Sequence, residues 1–359
     1  MAEIIILVLL LTPTGPFLFI HGARELRRAW RNANPADLPR AQVVDGRARG
    51  PRSSTVAKIG AVVEMLFGAA LSAGLALVIY VIFDISQNGL LGKVNSKGRL
   101  LRIREHAHLP PAAAGAGWTD ATTPDLGGIG AWERAVLGQA WLLSARMEHA
   151  SVAAFAQLSL HLAALAAPAP LVERTHAAAL DEIRHAQRCF ALASAYAGKA
   201  WSAGAIAELG KPSRGEARPM TFERLACGSL VDGCLAEGLA ADVARAAAER
   251  AVDPVVRATF VMIAADEARH AELAWDVMAW CIEQGGRSTR AALAARLERL
   301  DDELTPRLPD VPGITRHRLR ERGLLHQDDL GVLAKQRLET TKRRALAMTG
   351  AARATDVAA

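Results

Sequence analysis

Hydrophobic and polar positions along this chain follow two different rhythms. In residues 1–107 the apolar positions come in long blocks, at 4–20 and 59–83, with a polar, basic loop between them. From Ala131 onward they recur every three or four residues, the period of an amphipathic helix. That period predicts helices over 131–166, 169–197, 221–250 and 253–284, with further ones near 288–304 and 327–347. Pro168 and Pro170 part the first two, and "GKPSRGEARPM" parts the second from the third. Asp253 and Pro254 start the fourth as an N-cap followed by proline at the first helical position. The order is hairpin, long connection, hairpin, over 131–284. Before it, 108–130 reads as a Pro/Gly/Ala linker, and after it 285–359 reads as a helical extension. The fold class expected is all-α.

The long blocks predict membrane segments, so 1–107 reads as an anchor region. Met65 to Phe83 runs for 19 residues without a charge, enough for a helix to cross a hydrocarbon core of about 30 Å. Ile4 to Ile20 sits at the short edge of that length and holds Pro13, Gly15 and Pro16, so a kinked span is expected. No basic run precedes it and no small-residue cleavage site follows, which argues against a cleaved signal peptide. The loop between the blocks carries nine basic residues against Glu25, Asp37 and Asp45. The positive-inside rule puts that loop in the cytoplasm and the helical domain on the non-cytoplasmic, periplasmic side. "LGKVNSKGRLLRIREH" beyond the second block is basic too, and an interfacial first block reverses the orientation.

Composition narrows the classes further. The chain is 51% hydrophobic but only 5% aromatic, which fits Ala/Leu-rich helices. A net charge of +6 and a pI near 9.4 invite a nucleic-acid reading. The arginines crowd the loop beside the apolar blocks, however, and there is no base-stacking aromatic motif or zinc-finger spacing, so no nucleic-acid partner is expected. Cys189, Cys227, Cys234 and Cys281 form no CxxC pair and are too few for a disulfide scaffold.

The candidate chemistry lies in two strings, "LDEIRHAQRCF" at 180–190 and "ADEARHAELAW" at 265–275, which share Asp-Glu-x-Arg-His. Glu182 and His185 fall on a face with Ala178, Cys189, Leu192 and Ala193. Glu267 and His270 fall on one with Val256, Phe260, Ile263, Ala274 and Val277. Both faces are apolar, so these side chains point inward, and the i, i+3 spacing sets each pair side by side. Buried carboxylates need partners. The first helix offers Glu148, on a face with Trp141, Ser144, Val152 and Phe155. The third offers Glu237, flanked by Gly233, Cys234, Ala241 and Ala244. Glu148 lies 34 residues before Glu182 and Glu237 lies 30 before Glu267, so each hairpin brings its own set to one level.

The chain is thus an internal repeat of Glu followed by Glu-x-x-His. Four carboxylates and two imidazoles converging in a bundle are a ligand set for two adjacent metal ions. Imidazole suits iron, with manganese as the alternative. Asp181 and Asp266, one residue before each ligand glutamate, are expected to hold the opposite hairpin's histidine: Asp181 with His270, Asp266 with His185. Arg184 and Arg269 follow three residues later and pair with those aspartates. Cys189 and Cys234 lie near the same level and read as small-residue packing. Only Tyr80 and Tyr196 are present, the latter about 16 Å along the helix from His185, which disfavours a tyrosyl-radical protein.

Over roughly 131–284 the chain resembles the ferritin-like superfamily, with a ligand pattern similar to that of rubrerythrins and di-iron monooxygenases. The Asp-Glu-x-Arg-His strings resemble the motif of bacterial multicomponent monooxygenases and related di-iron oxidases. "MEHASVAAFAQLSL" at 147–160 is similar to the first helix of ferritin-like proteins around tRNA-modifying hydroxylases. "AADEARH" resembles the fourth-helix motif of alternative oxidases, although no tyrosine stands near the site. The resemblance implies a four-helix bundle whose metal ligands are Glu148, Glu182, His185, Glu237, Glu267 and His270. Three functions are compatible with it: an oxidoreductase using O2 or peroxide, a membrane-associated iron-binding or ferroxidase protein, and a helical adaptor without turnover. The partners expected are a membrane, an electron donor of unspecified type and a second copy of the chain as a homodimer.

Overall fold

A computed structural model of the chain describes residues 98–103, 106–210, 219–303 and 315–350. All of them belong to the unit Ile85–Ala359. The apolar blocks at 4–20 and 59–83 and the basic loop lie outside the described residues. Among the described residues, no helix is long and apolar enough to cross a membrane.

The described chain is mostly helical. Helix α1 (Ala131–Ala164) and helix α2 (Ala169–Ala197) are joined by a short turn and pack along each other. Gly198, in the left-handed conformation at φ 60°, closes α2. After the long connection, Thr221 caps α3 (Phe222–Gly228) by accepting the Arg224 N–H. The helix continues through a π-helical turn (Ser229–Leu235) into α4 (Ala236–Arg250). Asp253 then caps α5 (Pro254–Leu297), accepting the N–H groups of Val255 at 2.8 Å and Val256 at 3.0 Å. The one non-helical residue inside α5 is Gly286, at φ 58° and ψ −130°, between the helices expected at 253–284 and 288–304. The C-terminal elements are α6 (Arg316–Glu321) and α7 (Gln327–Thr349).

Short strands complete the unit. β1 (Arg102–Ile103) pairs with β2 (His106–Ala107), and β3 (Ala112–Ala114) with β4 (Trp201–Ala203), both antiparallel. Strand β3 and the buried Ile129 lie within the stretch read from sequence as a linker. Two- and three-residue strands are too short for an alternating pattern to announce them. Helix α7 packs on α4, α5 and the π-helical turn, burying Leu330, Ala334, Leu338 and Ala345. Its Arg337 pairs with Asp242 at 2.6 Å, and its Arg344 pairs with Glu272 at 2.7 Å on the surface.

Two apolar clusters fill the helical body. One holds Phe155, Leu158, Leu230, Cys234, Ala274 and Val277. The other holds Trp141, Cys189, Leu192, Val243, Phe260 and Ile263. Along every long helix the chain passes from one cluster to the other through a single turn of charged residues. Each fully buried Leu or Phe contributes roughly 1.5–3 kcal/mol, and the two clusters clamp a charged layer that alone opposes folding.

Candidate metal centre

The charged layer contains all six side chains singled out from sequence. Glu148 comes from the middle of α1, Glu182 and His185 from α2, Glu237 from the first turn of α4, and Glu267 and His270 from α5. All six are buried, at 2% exposure or less. They form two overlapping groups: Glu148, Glu182, His185 and Glu267, and Glu182, Glu237, Glu267 and His270. Within each group the potential ligand atoms lie within 4.8 Å of one another. Glu182 and Glu267, one from each hairpin, belong to both groups.

The histidines are oriented by the aspartates beside the glutamates. His185 Nε2 lies 2.9 Å from Asp266 Oδ2, and His270 Nε2 lies 3.1 Å from Asp181 Oδ2. An ionised carboxylate only accepts, so each Nε2 carries a proton, and Nδ1 is the atom each ring can offer a metal ion. Both Nδ1 atoms face the glutamates: His270 Nδ1 is 3.1 Å from Glu182 Oε1, and His185 Nδ1 is 3.6 Å from Glu182 Oε2. Arg269 bridges the aspartates, 2.5 Å from Asp266 and 3.3 Å from Asp181, while Arg184 pairs with Asp181. Burial works against ionising Asp181 and Asp266, but the histidine and arginine contacts outweigh it and hold both below the usual carboxylate range.

The glutamates themselves are under-satisfied. Glu148 Oε2, both oxygens of Glu182 and of Glu237, Glu267 Oε2 and both histidine Nδ1 atoms are buried without a hydrogen-bond partner. Burial pushes Glu148 up to about 7 and Glu267 up to about 8, and Glu237 rises well above its ordinary value through burial and the neighbouring Glu267. Glu182 goes the other way: burial raises it, but His185 and His270 outweigh that and pull it down. Four inward carboxylates with six unpartnered oxygens between them are a poor apolar core and a good cation site. These buried carboxylate and histidine groups could hold a metal ion, by donor type, by inward Nδ1 atoms and by orphaned atoms together.

Three features of the layer had no place in the sequence reading. The first is the π-helical turn directly before Glu237; such turns are rare and are frequently found at functional sites. Gly233 within it has no side chain to spare, since a Cβ there falls 2.2 Å from that of Ala274 and 2.9 Å from Arg99 Nη2. The second is the segment just after residue 97. Gly98, at φ 94°, lies so close that a Cβ on it sits 3.0 Å from Glu237 Oε2 and 3.2 Å from Glu267 Oε1. The third is a cavity of about 10 Å³, the room one water needs, lined by Trp141, Phe260, Ile263, Cys189, Glu148 and Glu267. His149, beside Glu148, turns away from the layer and packs edge-on against Trp118.

Comparison with protein-family models, with curated proteins and with solved structures finds no match for this chain.

Proposed function

We propose that the helical body is a ferritin-like four-helix bundle holding two iron ions, with manganese as the alternative metal, and that it works as an oxidoreductase toward O2 or peroxide. The observation that carries this reading is the pair of overlapping ligand groups sharing Glu182 and Glu267, with their inward atoms otherwise orphaned. Glu148 and His185 would hold one ion and Glu237 and His270 the other, with Glu182 and Glu267 available to both. When bound, iron supplies electron exchange with O2 or peroxide. The chain's own residues do the rest. Asp266 and Asp181 hold the Nε2 protons of His185 and His270 and so fix both rings with Nδ1 inward. Trp141, Phe260 and Ile263 exclude water from the cavity beside Glu148 and Glu267, leaving space for a molecule of water or O2 size. The apolar blocks at 59–83 and 4–20 tether the bundle to a membrane, on its non-cytoplasmic side by the positive-inside rule.

The small size of that cavity favours a second reading within the same chemistry. In that reading iron itself is the substrate, and the protein is a membrane-associated ferroxidase. One experiment tests the redox reading: the anaerobic Fe(II)-loaded protein is mixed with O2 or peroxide, and ferric absorption is followed in time. Oxidation far faster than that of free Fe(II) supports it, and oxidation no faster rejects it. Acceleration by an added organic reductant or substrate separates the oxidoreductase from the ferroxidase.

A further inference from the structure

Arg99 is a buried cation that the six-residue ligand set does not use. It is 7% exposed and sits on the segment that crosses the layer, with Nε 3.5 Å from Glu237 Oε1. Neither Nε nor Nη2 has a hydrogen-bond partner. Its guanidinium lies 5.0 Å from the Phe155 ring centroid, and Nη2 lies 2.9 Å from where a side chain on Gly233 would begin. The segment is held independently of the layer. Ser151 Oγ donates to the Arg99 carbonyl at 2.8 Å, Gln157 Nε2 donates to the Arg102 carbonyl at 3.2 Å, Leu101 is fully buried, and Arg102 forks onto Asp232 at 2.8 and 3.0 Å. Arg99 is therefore placed at the Glu237 end by backbone anchoring, and its unpaired donors are not an accident of a loose side chain.

Charge balance says what those donors are for. Metal binding requires the four glutamates to be ionised and the histidines neutral. The glutamates then balance two divalent ions, Asp181 and Asp266 are balanced by Arg184 and Arg269, and the charge of Arg99 is left over. A buried guanidinium whose nearest carboxylate, Glu237 at 3.5 Å, is taken up by a metal ion is costly unless an anion completes it. Resting on the metal reading above, we infer that the Glu237 end of the centre binds a small monoanion, with Arg99 as the residue that recognises it. The planar fork of a guanidinium matches a carboxylate such as formate in two hydrogen bonds, and meets a linear anion such as azide with less complementarity. Gly98, closing over Glu237 and Glu267, restricts the ligand to a few atoms.

The test uses the full chain, loaded with Fe(II) without O2 and then oxidised, with iron counted in the wild type and in Arg99→Gln and Arg99→Lys. Azide is titrated and followed by its charge-transfer absorption, and formate is titrated as its competitor. The expected result is equal iron in all three proteins, with formate binding weakened about tenfold or more in Arg99→Gln. Equal formate affinity at equal iron content would overturn the inference and leave the metal reading intact. Should Arg99→Gln fail to fold, Arg99→Lys decides: loss of the fork must weaken formate more than azide, and parallel weakening overturns the proposal. A wild type that takes up no iron would remove the metal reading and this inference with it.

Discussion

The two hairpins carry the same letters and do different things with them. In both, a lone glutamate on one helix faces a Glu-x-x-His pair on the next, and the aspartate–histidine contacts are crossed almost symmetrically, at 2.9 and 3.1 Å. The lone glutamates break that symmetry. Glu148 sits in the middle of an uninterrupted α1, beside Trp141 and the small apolar cavity. Glu237 follows a π-helical turn and faces Arg99 and the backbone of Gly98. Local sequence repeats built the shared part. Non-local packing built the difference, giving one half an apolar approach and the other a fixed positive charge.

The largest expected effect separates shared from unshared ligands. Glu182→Ala and Glu267→Ala each remove a member of both groups, so metal analysis after anaerobic Fe(II) loading should find nearly all metal lost. Glu148→Ala and Glu237→Ala touch one group each and should keep about one of about two ions. Equal loss from all four variants would mean that the two halves do not act as separable sites. Next come the aspartates. Asp266→Ala frees His185 and Asp181→Ala frees His270, and either should weaken metal binding by about 10–100-fold without changing the number of ions at saturation. A competition titration against a chelator reads this directly, and a marked inequality between the two would extend the asymmetry to the histidines.

Much of this arrangement was legible in the sequence, and the reason is physical. Helices impose a fixed period, so Glu182 with His185 and Glu267 with His270 had to share faces with Cys189 and with Ile263. Similar spacing within the two hairpins, 34 and 30 residues, brought Glu148 and Glu237 to the same level. Asp253 and Pro254 announced the start of α5, and Gly286 broke it where a break was expected. The π-helical turn was not legible. Gly228, Gly233 and Gly238 mark a stretch that holds α geometry weakly, but nothing local chooses a wider turn, which depends on how Gly233 meets Ala274 and Arg99 across the packing. The position of Gly98 and Arg99 was hidden for the same reason. Residues 98–103 have no period of their own, and their place is set by Ser151, Gln157 and Asp232, between about fifty and 130 residues away.

A moderate effect is expected where the crossing segment touches the second half. Gly98→Ala forces a side chain onto a left-handed backbone and toward Glu237, a strain of about 1–2 kcal/mol beyond the contact at 3.0 Å. Because Glu237 is the nearer contact and Glu267 the farther, iron should be lost first from the Glu237 group and less from the Glu148 group, and thermal melting should shift by a few degrees. Loss from both groups alike would contradict a role weighted to one half.

The smallest effect is the pH dependence of the metal-free protein. Glu267 and Glu148 are raised to about 8 and about 7, so the folded state holds protons that the unfolded chain has released. That contribution is fully present below the ordinary glutamate value and is lost as pH rises through 7 and 8. His270, where the Asp181 and Glu182 contacts outweigh burial and raise it to about 9, adds loss in the same direction at higher pH. Melting temperature of the metal-free protein should fall from pH 6 to pH 9. Metal affinity should rise over the same range, because binding displaces those protons. A metal-free protein that gains stability across this window would mean the layer is not proton-filled.

The most direct test of the central claim is the number of iron ions that the wild-type chain binds in an anaerobic Fe(II) titration, counted by metal analysis after removal of free iron. Two ions per chain is the predicted result. A chain that stays metal-free, or that binds one ion lost only on Glu148→Ala or only on Glu237→Ala, would contradict a centre built by both hairpins.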